Sequence, residues 1–169
     1  VVLTWTDNNP EGTQYRITRA PDGYSISGIT GHTYRDAEIA EPGFYTYSVC
    51  AYNDFSDSPE TTSNTVVAGQ PLQIPCSFDL KGGAAKSQWL LVDANQDKTT
   101  WTLSPQGLSY FCSFYNDADD WAFSLPMELL PDVTYRLRYT VNCQSILGSK
   151  EDFRMTLGRD VAPESHKQT

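Results

Sequence analysis

The stretch P-G-F-Y-T-Y-S-V-C-A-Y-N, residues 42–53, decides how the rest of the chain is read. Pro42-Gly43 is a turn signal, because proline presets its own φ and glycine accepts φ > 0. The residues after it alternate. Tyr45, Tyr47, Val49 and Ala51 fall on one face at the strand period of two, with Thr46, Ser48 and Cys50 on the other. Aromatic and β-branched residues fit a pleated, half-buried surface. A strand over 44–52 is therefore expected, and its period sets the frame for the segments on either side.

Towards the N-terminus the same period recurs. Val1, Leu3 and Trp5 share a face, and 7–12 is a turn cluster. Residues 14–19 alternate again through Tyr15 and Ile17 before the turn Pro21-Asp22-Gly23. A short strand is expected at 24–26, and 33–36 leads through Ile39 to the turn Glu41-Pro42-Gly43. Towards the C-terminus, 63–68 reads as a last strand and Gly69-Gln70-Pro71 as a linker. Beyond it, 72–80 is extended, 81–86 is a Gly/Ala loop, and 89–92 is short and apolar. A strand-like, aromatic stretch follows at 108–114, then an acidic one at 116–120 that runs into Trp121-Ala122-Phe123-Ser124-Leu125-Pro126. Residues 134–143 alternate through Tyr135, Leu137, Tyr139, Val141 and Cys143, and 151–157 through Phe153, Met155 and Leu157. The pattern predicts an all-β chain of two domains, 1–69 and 70–169, with no helix longer than about two turns.

Composition narrows the function. Thirty-nine per cent apolar residues are enough to build cores, which excludes a disordered chain. A net charge of -9 opposes nucleic-acid binding, which needs Lys and Arg against phosphates. No apolar run of about 18 residues is present, so no transmembrane segment is expected. Cysteines 50, 76, 112 and 143 match no zinc spacing. Their even number permits disulfides, yet Cys50 stands alone in the first domain. Free thiols and disulfides both remain open, and cysteine does not settle the compartment.

The first segment resembles the fibronectin type III family through L-T-W-T at 3–6, Y-R-I-T-R at 15–19 and the stretch at 42–53. The resemblance implies a β-sandwich with Trp5 in the inter-sheet core. It also makes Tyr45 a tyrosine corner, its hydroxyl bonded to nearby backbone. The family opens with a strand before the Trp strand, whereas Val1 already lies within the second, so a chain cut at its N-terminus is expected.

The second segment resembles the cleaved-adhesin or MAM-like jelly-roll modules of bacterial surface proteins, including the adhesin regions of gingipain-type proteases. W-L-L-V-D-A-N-Q-D-K-T-T-W at 89–101, D-D-W-A-F-S-L-P at 119–126 and L-L-P-D-V-T-Y-R-L-R-Y at 129–139 carry it. Gln96 stands where the family has glycine. Such modules run to about twice the strands visible here, so a partial jelly roll, truncated at its C-terminal end, is expected. The resemblance implies a secreted or cell-surface protein.

Oxygen-rich spacings make calcium a candidate structural cofactor. Asp93, Asn95 and Asp97 alternate within five residues, and calcium takes several carboxylate and carbonyl oxygens at flexible geometry. The bland alternative is a solvated Asx-rich turn. Asp117, Asp119 and Asp120 form a second cluster, where close carboxylates repel unless spread, solvated or neutralised. Asp79 is a third candidate, since jelly-roll modules often keep a structural calcium near their first strand. Trp89, Trp101, Trp121 and Tyr115 could stack on sugar rings, against the alternative of core packing. Trp121 and Tyr115 are the expected ligand contacts.

Catalysis has little sequence support. His32 and His166 sit in no nucleophile motif. Asp120 and Glu128 could be proposed as a glycosidase pair, but nothing in their spacing singles them out. The expected function is a non-catalytic binding or adhesion region with a glycan or glycoprotein partner. The alternative is an accessory region of a surface protease or glycoside hydrolase whose catalytic domain lies outside the chain.

Overall fold

A computed structural model describes residues 1–78, 80, 88–111, 115, 117–142 and 152–166. Among the described residues the fold is mostly β-strand with almost no helix, in several antiparallel sheets that close no barrel. It divides into two compact units, Val1–Leu72 and Gln73–Thr169. A helical turn, α1 (Pro163–His166), follows the strands.

The first unit has seven strands: β1 (Val2–Thr4), β2 (Gln14–Ala20), β3 (Ser25–Ile29), β4 (Thr33–Arg35), β5 (Gly43–Tyr52), β6 (Thr61–Thr62) and β7 (Val66–Ala68). β1 pairs with β4. The other five form a sheet in the order β3-β2-β5-β6, with β7 also on β5. β5 lies along the whole of β2, from Gln14↔Tyr52 to Ala20↔Thr46. Its ten residues are the strand that the alternation predicts. Of the expected strand at 63–68 only 66–68 forms, as β7 on the first residues of β5, while β6 lies before it and pairs with the middle of β5.

The inward faces of both sheets share one core. Ile17, Tyr45 and Tyr47 lie at its centre, with Val1, Leu3, Trp5, Tyr34 and Val49 packed around them. Burying an Ile or an aromatic ring of this kind contributes roughly 1.5–3 kcal/mol each. Trp5 is only half-buried. Its ring packs edge-on to Tyr15 with the ring centres 5.3 Å apart, and its indole N–H is shut from water without a hydrogen bond. Tyr45 is buried and its hydroxyl donates to the Glu41 carbonyl at 2.7 Å, as expected of a tyrosine corner.

An ion-pair network closes one side of this core. Arg19 is 3 % exposed and so is Asp36. Arg19 Nη1 meets Asp36 Oδ2 at 2.6 Å, and its Nη2 meets Asp22 at 2.6 Å. The Tyr47 hydroxyl and the Glu38 N–H also donate to Asp36. Burial alone pushes the Asp36 carboxyl up, but Arg19 and these donors together hold it below the usual value. Burial and the adjoining carboxylate push the Tyr47 hydroxyl up in turn.

The second unit carries β8 (Trp89–Asp93), β9 (Thr102–Ser104), β10 (Gly107–Ser109) and β11 (Asp120–Ser124). β8 pairs with β11, and β9 with β10. Two expectations change here: 134–142 and 152–157 form no strand despite their alternation. Leu137, Tyr139, Val141, Phe153 and Leu157 are exposed. Alternation makes a strand only where a partner ladder pairs its backbone, and the described residues provide none for these stretches.

Candidate functional site

The predicted oxygen clusters come together at one end of the β8–β11 ladder. Antiparallel pairing sets Asp93 opposite Asp120, and the Ala94 N–H extends the ladder to the Asp119 carbonyl at 3.0 Å. The turn beyond Asp93 is organised by its own carboxylate. Asp93 accepts the N–H groups of Asp97 at 3.2 Å and Lys98 at 2.8 Å. Asp97 accepts the Thr99 N–H at 2.7 Å. This is an Asx-type turn, in which short acidic side chains replace backbone acceptors. The Asn95 amide donates to the Asp117 carbonyl at 2.7 Å and ties the two acidic segments together. Gln96 and Lys98 adopt φ of 58° and 70°, the left-handed region. A left-handed φ of this kind is the conformation glycine adopts without strain.

Asp120 is the least ordinary group of this set. Both its carboxylate oxygens are shut from solvent, as is Asp97 Oδ2. Burial pushes the Asp120 carboxyl up. The Tyr110 and Thr100 hydroxyls pull it part of the way back, and Asp93 and Asp97 push it up further. A carboxylate so placed favours a proton or a cation beside it. Asp119 is turned elsewhere, accepting the Trp121 indole N–H at 2.7 Å. Among the described residues, no three His, Cys, Asp or Glu side chains converge as a metal site. Asp79 lies outside the described residues, as do Cys112 and Cys143. Cys50 and Cys76 are free thiols.

The aromatic candidates separate. Trp121 is half-buried, stacked on Phe123 at 5.7 Å and tilted against His166 at 5.8 Å. Both contacts are packing contacts. Trp101 donates its indole N–H to the Asp120 carbonyl and packs on Tyr110. Trp89 packs on Phe78, and with Leu91, Trp101, Thr102 and Leu103 it lines an open cleft of about 330 Å³. Tyr115 is 94 % exposed, two residues before Asp117. Glu128 accepts the Gln73 amide.

Sequence reasoning passed over one cluster in the first unit. The Tyr15 hydroxyl donates to Asp7 at 2.7 Å and lies 3.2 Å from His32 Nε2, which is 3.4 Å from Asp7. Tyr15 and the Asn9 N–H hold the Asp7 carboxyl below its ordinary value, with His32 adding a smaller pull. The three groups fasten the 7–9 turn to β2 and to the turn before β4. With this geometry in place, the chain was compared with known proteins: no family model, no curated protein and no solved structure matches it. No helix of the described residues is long and apolar enough to cross a membrane.

Proposed function

We propose that the chain is a non-catalytic binding or adhesion region of a secreted or surface-attached bacterial protein. In this reading the first unit is a fibronectin type III-like β-sandwich serving as a spacer. The second is part of a jelly-roll module that meets a glycan or glycoprotein. The observation that carries it is Tyr115, whose ring stands almost fully exposed next to the acidic segment 117–120. An exposed aromatic face beside polar groups matches the C–H face of a sugar ring and its hydroxyls. The Tyr45–Glu41 hydrogen bond supports the sandwich assignment of the first unit.

Calcium has a structural role in the same reading. The enclosed Asp120 carboxylate, with Asp93 and Asp97 near it, supports a cation at that end of β8–β11. Trp121 acts as a half-buried prop for the loop, and Tyr115 is the more exposed of the two ligand contacts.

The test is a glycan array probed with the chain and with Tyr115→Ala. Binding that falls about tenfold or more in the variant, with unit folding unchanged, is expected for one stacked sugar. Equal binding by the two proteins, or hydrolysis of an arrayed glycan, sinks the reading.

A further inference from the structure

Asp7, Tyr15 and His32 come from separate parts of the first unit and bring three electron-rich atoms together. The Tyr15 oxygen lies 2.7 Å from Asp7 Oδ2 and 3.2 Å from His32 Nε2, which is itself 3.4 Å from Asp7 Oδ1. Atoms bound to one metal ion at about 2.0–2.2 Å stand roughly 3.0–3.4 Å apart, for angles from square to tetrahedral. The two spacings to His32 already match. The third is shorter because a proton bridges Tyr15 and Asp7, and it has to open by only about 0.3 Å. Each donor is also held from outside the cluster. The Tyr15 ring is buried and packs edge-on to Trp5. The Asn9 N–H fixes Asp7 Oδ1 at 2.9 Å. The His32 ring lies against those of Trp5 and Tyr15, with centres 6.2 and 5.5 Å away. Donors set in place by their surroundings need little rearrangement to take a metal. The His32 and Asp7 side chains are 51 % and 23 % exposed, so an ion reaches them and water can complete its shell.

We propose that Asp7, Tyr15 and His32 bind a hard trivalent cation, ferric iron. Carboxylate and phenolate are hard anionic oxygens, and imidazole nitrogen also suits iron. The phenol selects the metal. It ligates as phenolate, so its proton leaves to solvent as the ion enters, and a trivalent charge is strong enough to displace it near neutral pH. Asp7 and His32 without the phenolate offer two ligands, fewer than the three that zinc keeps even at open sites. Calcium takes oxygen ligands and has no use for the imidazole. The proposal stands apart from the glycan and calcium readings, which concern the second unit.

The experiment is a titration of the full chain with ferric nitrilotriacetate, followed by visible absorption. Iron bound to a phenolate gives a charge-transfer band that the other ligands do not, and it should saturate at one iron per chain. Tyr15→Phe should abolish the band. Asp7→Asn and His32→Gln, at more exposed positions, should each weaken binding by about tenfold or more. Tyr110→Phe, a tyrosine of the second unit, should leave it unchanged. Proton NMR locates the ion: the paramagnetic iron should broaden the Trp5 indole signals, which belong to the ring against both Tyr15 and His32. No band from the intact chain overturns the proposal. So does a band that survives Tyr15→Phe, one undiminished by both Asp7→Asn and His32→Gln, or one lost in Tyr110→Phe.

Discussion

Arg19 shows what a single residue does to this fold. It continues the Tyr15 and Ile17 face of β2, so its guanidinium points into the unit rather than out of it. A charge there persists only with a partner, and Asp36 supplies one from beyond β4. Asp36→Ala should destabilise the first unit by about 3 kcal/mol, the scale for breaking a buried pair on one side, as measured by urea melting. Asp22 still contacts Arg19 and keeps the loss from being larger. The pH dependence follows from the same pair. The folded carboxyl of Asp36 sits below its unfolded value of 3.8. Its contribution is complete above that value and drains away as pH falls through the lower folded one. Asp120 has the opposite sign, because its folded value is raised. Its effect favours the fold most below 3.8 and is lost as pH rises through the raised value. Carboxyl NMR titration reads both, and an Asp36 titrating above 3.8 would refute the first. Part of this was legible beforehand. The period-two pattern puts Arg19 inward, which calls for an acid, but nothing in the spacing points to Asp36. Seventeen residues and two strands separate them, and only the packing of β4 against β2 brings them together.

The elements divide by how fully the sequence specifies them. β2 and β5 were legible because their alternation, turn residues and aromatic content agree, and each finds its partner close by in the chain. Gly69 was read as linker, yet the fold uses it as part of the first unit. Its φ is +92°, and a Cβ there would stand 2.5 Å from Pro42 Cα. Gly69→Ala should cost more than about 1 kcal/mol, through both the conformation and the clash, and should loosen β7 from β5. Hydrogen exchange along Val66–Ala68 is the measurement, and unchanged protection there contradicts the expectation. The turn after β8 gives the reverse case. Gln96 holds a left-handed φ at a cost of about 1 kcal/mol, so Gln96→Gly should stabilise the second unit by several tenths or more. The alternation at 134–142 was equally clear in the sequence but gives no strand. A pattern fixes which side chains would face a core; the ladder itself has to come from a neighbour. The acidic end of β8–β11 was legible as residues, whereas the enclosure of Asp120 by Thr100 and Tyr110 was not, because it depends on how β11 pairs.

At the scale of the molecule the two units differ in how much apolar surface they enclose. Among the described residues, Tyr15, Ile17, Phe44, Tyr45, Tyr47 and Cys50 are buried in the first, against Phe123 and Leu125 in the second. Stability tracks that area, so urea should melt the second unit first. The expected outcome is two transitions, separated by a second-unit probe such as the Trp121 environment and by exchange at β5. A cation that binds only the folded second unit raises the earlier transition and leaves the later one unchanged. Calcium titration with a chelator control checks this. A shift in the later transition, or in neither, counts against a structural calcium at Asp93, Asp97 and Asp120.

Cys50 turns that difference into a clock. Its thiol is 2 % exposed on β5, with Ser58 and Arg16 over it, whereas Cys76 is only half-buried. A thiol reagent present in excess should therefore tag Cys76 on mixing and reach Cys50 only when β5 opens. Because a buried thiol is inert until exposed, the slow tagging rate divided by the rate for an open thiol gives the fraction of molecules open at equilibrium. The chain thus carries a built-in reporter of how often its best-packed strand breathes, readable by mass without any added label on the fold.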